Sequence, residues 1–242
     1  MASTSLTGPL LRGLLAGACA GALTGLVGLL FAEPTLDAAI ALEHAGGDEL
    51  FSRGTQKVGL VMGFALVGVA LGALFALAYR VLPADLTARP WSRSLGLALG
   101  AFTALYLVAF LRYPSNPPGV GDESTLDTRT SAYFLCLALG VAVCSGAVAA
   151  SRWLARRGVP PWQRHSGVAV GALVVVGVAY ALMPPAAPLG DVPADLVWDF
   201  RLRSFALQAL LYAGLGAIFG ALTEREQRHS ARVGVGAVTG RV

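Results

Sequence analysis

The sequence predicts an all-α membrane protein, with six transmembrane helices arranged as three hairpins and with both termini in the cytoplasm. Composition is the first observation: 55% of the residues are apolar, only 13% are charged, and the mean hydropathy is +0.66. A soluble domain has roughly 25% charged residues. The second observation is a set of long apolar segments, and the third is the sorting of charges between them. Together they exclude a soluble enzyme and a disordered chain.

Six continuous apolar segments are long enough to cross a bilayer, because a helix needs roughly 20 residues to span its hydrocarbon core. In chain order they are 13–32, 58–79, 94–111, 132–150, 166–183 and 204–222. None contains Asp, Glu, Lys, Arg or His, so none has the polar face of a helix in a soluble bundle. The chain is therefore predicted to form a single polytopic membrane domain over 1–242, with a flexible cytoplasmic tail over 223–242.

Charged or titratable residues border each segment. Five segments begin directly after such a residue, which in chain order is Arg12, Lys57, Arg93, His165 or Arg203. The remaining segment, 132–150, ends just before Arg152. Segment 13–32 also resembles a secretory signal. Its apolar run extends well past Cys19, however, which favours an uncleaved transmembrane helix.

The connections between the segments differ in charge. The N-terminus, the second and fourth connections and the C-terminus carry twelve basic and three acidic residues, whereas the first, third and fifth connections carry six basic and eleven acidic residues. Basic residues stay on the cytoplasmic side of a membrane. Both termini are therefore predicted to be cytoplasmic, and three acidic connections are predicted to face outside.

Glycine spacing indicates how the helices pack. Gly13, Gly17, Gly21 and Gly25 recur every fourth residue, and the pairs Gly59/Gly63, Gly68/Gly72, Gly96/Gly100, Gly167/Gly171 and Gly216/Gly220 repeat the interval. Helices in lipid associate through close backbone approach at small residues. One interpretation is a dimer face. The other, which we favour because five of the six segments carry the pattern, is packing within one bundle.

The first outer connection is the candidate metal site. It carries Glu33, Asp37, Glu43 and His44, and His44 is the one histidine predicted to lie outside. Carboxylate oxygens with an imidazole suit a divalent first-row metal ion. The alternative is a solvated acidic cap in which Arg53 pairs with a carboxylate four residues earlier.

The third connection, which is predicted to face outside, contains the segment 113–118, with three prolines. Proline fixes φ and pushes the preceding residue towards an extended conformation. We therefore predict a stiff segment that acts as a lid or plug, the alternative being a rigid surface loop. The fifth connection ends with the segment 198–203. Its aromatic residues, Trp198 among them, suit the membrane interface, and its charges, Arg201 among them, are expected to meet the acidic first connection.

Catalytic and nucleotide-binding motifs are missing from the sequence: it has no Gly-x-Ser-x-Gly, His-Glu-x-x-His, Walker loop or Cys-x-x-Cys. The chain is therefore predicted not to be an enzyme, not to bind nucleic acid and to hold no cofactor firmly. An enzyme acting on lipid or glycan at the outer face stays a rival hypothesis, since Glu33, Asp37 and His44 offer acid–base groups.

The three outer connections resemble those of one family. The residues that carry the resemblance are Glu33, Pro34, Asp37, Ala39, Ile40 and Glu43; Ser52, Arg53, Gly54, Gln56, Gly59 and Leu60; Tyr113, Pro114, Asn116, Pro117, Pro118, Val120 and Gly121; Thr125, Arg129, Thr130 and Tyr133; and Trp198, Phe200, Arg201, Leu202, Ser204 and Gln208. They are similar to the CbtA family of predicted cobalt transporter subunits.

This resemblance implies a multi-pass protein of the bacterial cytoplasmic membrane that takes up Co²⁺ for cobalamin synthesis. It also implies a small, histidine-rich CbtB-like membrane partner. On this hypothesis Glu33, Asp37, Glu43 and His44 gather the ion. The residues that shape the vestibule or form the structural motifs are Arg53, Gln56, Tyr113, Pro114, Asn116, Pro117, Pro118, Arg129, Trp198, Arg201 and Gln208. The alternative function is a structural or assembly protein that does not transport.

Overall fold

The computed structural model describes residues 7–32, 35, 52–82, 89–117, 126–186 and 192–239. These residues form six helices, each long and apolar enough to cross a membrane. They are α1 (Thr7–Phe31), α2 (Arg53–Val81), α3 (Pro90–Arg112), α4 (Leu126–Arg156), α5 (Pro161–Leu182) and α6 (Ala194–Thr239). All six predicted segments are thus confirmed as helices. The hairpin arrangement and the side on which the termini lie stay predictions.

The helices extend beyond the apolar segments that predict them. Helix α2 begins at Arg53, where Ser52 caps the helix by accepting a hydrogen bond from the backbone N–H of Thr55 at 3.3 Å. Helix α6 continues to Thr239 and so includes part of the segment predicted as a tail. The flexibility of that tail and the single-domain organisation stay predictions.

Two compact units divide the helices. The first contains α1, α2, α3 up to Leu99 and α6 from Arg203 onwards. The second contains α3 from Gly100, α4, α5 and α6 up to Leu202.

Helices α1 and α2 of the first unit pack antiparallel through glycine. A Cβ added to Gly17 would stand 2.7 Å from the carbonyl carbon of Gly68 and 3.1 Å from Cα of Gly72. One turn earlier, a Cβ on Gly13 would meet Cβ of Ala76 at 2.7 Å. Only glycine permits this approach of the two backbones. The favoured interpretation, packing within one bundle, therefore holds for these helices.

An aromatic and aliphatic core fills the rest of the first unit. Phe219 of α6 is fully buried, and its ring lies 5.2 Å from that of Phe75 in an edge-on geometry. Leu211 and Leu215 continue this buried face of α6 towards its N-terminus. At the other end of the same unit, Arg12 of α1 forms an ion pair with Glu226 of α6.

A π-helical turn over Thr103–Leu107 interrupts α3 in the second unit. Gly140 of α4 faces it, and a Cβ there would lie 2.9 Å from the carbonyl carbon of Ala104. The hydroxyl of Tyr180 on α5 donates to the carbonyl oxygen of Val108 just after the turn. π-Helical turns inside α-helices are frequently found at functional sites.

Candidate functional site

The four predicted metal ligands, Glu33, Asp37, Glu43 and His44, lie outside the described residues. Thr35, which the structure does describe in this connection, is buried. Among the described residues, no group of three or more His, Cys, Asp or Glu side chains could hold a metal ion. The metal site therefore stays a prediction from the sequence.

The proline-rich segment is described from Tyr113 to Pro117, and it is held by side-chain hydrogen bonds. The Oδ1 of Asn116 accepts a hydrogen bond from Nη2 of Arg201 at 2.8 Å. The hydroxyl of Tyr113 donates to the carbonyl oxygen of Pro184 at 2.8 Å. Pro117 is buried, whereas Pro118 lies outside the described residues. This part of the segment is thus fixed to two other elements of the second unit, and its role as a lid or plug stays a prediction.

The guanidinium of Arg112 connects two helix ends in this region by hydrogen bonds to backbone carbonyls. Its Nη2 donates to the carbonyl oxygens of Met183 at 2.7 Å and of Pro184 at 2.6 Å. These carbonyls follow the last turn of α5, where backbone acceptors lack partners within the helix and a cation is favoured. The guanidinium therefore joins the C-terminal end of α3 to that of α5. Nearby, the thiol of the buried Cys136 lies 3.5 Å from the sulfur of Met183.

The sequence did not predict this function of Arg112, which was counted only among the six basic residues of the outer connections. The signal available was position: Arg112 directly precedes the Tyr-Pro pair of the proline-rich segment, and Met183 directly precedes two prolines. Helix α5 ends before these two prolines, so no following helical N–H engages the carbonyls of Met183 and Pro184, and they are available to a guanidinium.

The other motif residues have separate positions. Arg53 donates from Nη1 to Oε1 of Gln56 one turn further along α2. Trp198 is 67% exposed, as a membrane-interface side chain can be, and its neighbour Val197 is buried. Gln208 is half-buried in the first unit. The side chain of Arg129 lies outside the described residues.

Arginine also holds helix ends in the first unit. Arg203 of α6 donates from Nη1 to the carbonyl oxygen of Phe31, the last residue of α1. Arg93 of α3 donates to the carbonyl oxygen of Leu82 at 2.8 Å, and its guanidinium stacks 3.9 Å from the ring centre of Tyr79. In both units, guanidinium groups thus join helix termini by satisfying backbone carbonyls.

The helices are long and apolar, glycine contacts join them, and arginine side chains bind backbone carbonyls at their ends. These features define a multi-pass α-helical membrane protein. The family model described as "Probable cobalt transporter subunit (CbtA)" matches residues 8–224. The chain therefore belongs to the CbtA family, as its outer connections predicted. Comparisons with curated proteins and with solved structures gave no match.

Proposed function

We propose that this chain is the integral membrane subunit of a Co²⁺ uptake transporter in the bacterial cytoplasmic membrane, with its transport linked to cobalamin synthesis. The observation that carries the proposal is that the match to a cobalt transporter subunit family extends over 8–224 and so reaches into all six helices. The role is transport without catalysis, and Co²⁺ is cargo rather than a firmly held cofactor.

The ion would be collected by Glu33, Asp37, Glu43 and His44. Three carboxylates and a single imidazole present mostly hard oxygen ligands, which hold a late first-row dication less tightly than a site rich in nitrogen or sulfur. Weak binding suits release into a transport path. Arg53, Gln56 and the remaining motif residues would shape the vestibule around this site.

A histidine-rich CbtB-like partner would complete the transporter. This chain has three histidines, at 44, 165 and 229, and no histidine-rich tract. Imidazole is a common ligand for first-row metals, so a partner that carries a cluster of them would deliver the ion to the weaker site on this chain.

Uptake of ⁵⁷Co²⁺ by cells that express the chain with its partner tests the proposal. The double variant Glu43→Ala/His44→Ala should reduce uptake at least severalfold at equal protein level. The matched control is Asp85→Ala/His229→Ala, which removes one carboxylate from the second connection and one imidazole from the C-terminal segment. Both are predicted to be cytoplasmic, so uptake should be unchanged. Unchanged uptake in the first variant would remove Glu43 and His44 from the mechanism.

The second candidate function is a structural or assembly protein of the transporter. The observation favouring it is that the six apolar segments carry no ionisable side chain except cysteine and tyrosine, whereas ion pathways through membranes normally contain such groups. Calorimetry on the purified chain separates the two functions. Binding of Co²⁺ that is lost in Glu43→Ala/His44→Ala supports transport, and the absence of any binding supports the assembly function.

A further inference from the structure

A groove of about 450 Å³ runs between α4 and α5 of the second unit. All of the residues that line it are Gly, Ala, Val or Leu. They include Leu139, Val143, Gly146, Ala150, Gly167 and Gly171. A Cβ added to Gly146, Gly167 or Gly171 would meet nothing within 4 Å, so these glycines make space rather than a helix contact. The groove is thus an apolar channel along the outside of the helix pair.

The dimensions of the groove suit an acyl chain. On α4 it extends from Leu139 to Leu154, roughly 22 Å at the rise of an α-helix. One leaflet contributes about 15 Å to the hydrocarbon core of a bilayer. The α5 wall runs from Gly167 to Val175, roughly 12 Å, so the two walls together enclose most of a lipid tail over the depth of a leaflet.

Arginines continue both walls of the groove at one end. Arg164 lies three residues before Gly167 on α5, and Arg157 lies three residues after Leu154 of α4. Arg164 and Gly167 therefore share a face of α5. Arg157 directly follows the last residue of α4, and its backbone N–H donates to the carbonyl oxygen of Leu154 at 3.1 Å. A tight turn holds the two ends together: Gly158 has φ +74°, and the backbone N–H of Val159 donates to the carbonyl oxygen of Leu154 at 3.1 Å.

This end of the groove lacks compensating negative charge. The chain has no Asp or Glu between residues 128 and 190. Within the described part of the chain, no carboxylate pairs with Arg157 or Arg164, and Nε of Arg164 is buried without a hydrogen-bond partner. Helix α5 also begins without a side-chain cap after Pro160, so its unpaired backbone N–H groups add positive potential.

Aromatic side chains place the same end at headgroup level. The guanidinium of Arg157 stacks 3.8 Å from the ring centre of Trp153. Trp153 and Trp162 are both exposed, as the tryptophans of an interfacial belt are. A phosphate at this level would meet the guanidinium groups and the start of α5 while its tail entered the groove.

We propose that the α4–α5 groove binds an anionic phospholipid, with one acyl chain between the helices and the phosphate against Arg157, Arg164 and the N-terminus of α5. Charge complementarity favours this occupant over a second copy of the chain, because a second copy would bring the same arginines towards one another. Basic pockets between transmembrane helices select anionic headgroups in the same way.

Native mass spectrometry of the full-length chain, with added phosphatidylglycerol or phosphatidylcholine, tests the headgroup site. Phosphatidylglycerol should bind more tightly than phosphatidylcholine. In Arg157→Gln/Arg164→Gln, affinity for phosphatidylglycerol should fall roughly 25-fold. Each arginine near an anionic surface contributes about 1 kcal/mol, and the variant loses two of them. The control Arg225→Gln/Arg228→Gln removes equal charge from α6 and should leave affinity unchanged. Equal binding of the two lipids, or an equal loss in the control, would overturn the proposal.

Filling the groove tests the acyl chain separately. Gly146→Val/Gly171→Val places side chains in open space, so folding should be retained, and Gly63→Val is the control on α2, where a Cβ also meets nothing within 4 Å. Binding of long-chain phosphatidylglycerol should weaken in the groove variant, whereas binding of a dihexanoyl form should not. Unchanged long-chain binding would overturn the proposal. So would a dimer of the chain that forms without lipid and disappears in this variant, because a second copy would then be the occupant.

Discussion

Substituting Gly17 with alanine should separate α1 from α2 and destabilise the protein. A Cβ at this position would stand 2.7 Å from the carbonyl carbon of Gly68 and 3.1 Å from Cα of Gly72. Favourable contacts between carbon atoms lie at roughly 3.5–4.0 Å. The backbones must therefore move apart by several tenths of an ångström or more. Because both sides of the contact are backbone, no side-chain rotation can relieve it.

The expected cost is about 1–3 kcal/mol, the usual penalty for adding a methyl group to a packed interior. Gly63→Ala is the matched control. A Cβ on Gly63 meets nothing within 4 Å, and replacing glycine by alanine within a helix usually stabilises it by about 0.5–1 kcal/mol. The two variants are chemically identical and lie in the same helix pair, yet they should change stability in opposite directions.

Thermal unfolding followed by fluorescence-detected size exclusion in one detergent would measure both variants. We also expect Gly17→Ala/Gly68→Ala to cost less than the sum of the two single variants, because the first methyl group already separates the helices that the second would separate. The reasoning about backbone contact is refuted if Gly17→Ala and Gly63→Ala shift the unfolding temperature equally.

Three further predictions concern the second unit. Gly140→Ala should destabilise by about 1–3 kcal/mol, since its Cβ would meet the backbone of Ala104, and Gly146→Ala on the same helix should not; thermal unfolding compares them. Arg112→Gln should lose charged hydrogen bonds to the carbonyls of Met183 and Pro184, about 1.5–3 kcal/mol each when intact. Hydrogen exchange at the backbone amides of Met183 and Ala186, between which the two prolines carry no N–H, should then accelerate, but not in Arg156→Gln. Arg201→Ala and Asn116→Ala should show a coupling energy of about 0.5–3 kcal/mol in a double-mutant cycle, and additive effects would contradict their hydrogen bond.

The helices were predictable because the bilayer imposes a simple requirement on composition and length. The ends of the helices were less predictable. Hydropathy detects only the part of a helix in the hydrocarbon core, whereas backbone hydrogen bonding continues into the interface. Helix α2 thus begins at Arg53 rather than at residue 58, because Ser52 supplies a cap there. Helix α6 begins at Ala194, ten residues before its apolar segment.

Glycine spacing alone did not identify which helix faces would meet. Gly68 and Gly72 contact the backbone of α1, whereas a Cβ on Gly59 or Gly63 of the same helix meets nothing within 4 Å. All four glycines repeat the same interval. The distinction depends on which face of α2 is turned towards α1, a property of the three-dimensional arrangement rather than of either sequence segment.

The hydrogen bonds of the candidate site show the same limit on prediction from sequence. Asn116 and Arg201 were both singled out, but they lie 85 residues apart, and nothing local to either residue pairs them. The π-helical turn over Thr103–Leu107 has no equivalent among the sequence predictions. Its sequence is ordinary for a transmembrane helix, so the extra residue in the turn becomes evident only in the backbone.

The described helices impose a requirement on the proposed transport. A dication that leaves water loses a large solvation free energy, which only charged or numerous oxygen ligands can offset. In the first unit, the fully buried side-chain oxygens within the spans include the neutral hydroxyls of Thr24 and Ser94. Neutral hydroxyls are poor substitutes for the hydration of Co²⁺, and the six apolar segments contain no Asp, Glu or His. We therefore expect the chain alone in liposomes to bind Co²⁺ at its acidic connection without moving it, and to transport it only with the histidine-rich partner. Flux of ⁵⁷Co²⁺ through the chain alone would contradict this reasoning and would place the ligands for passage within these helices.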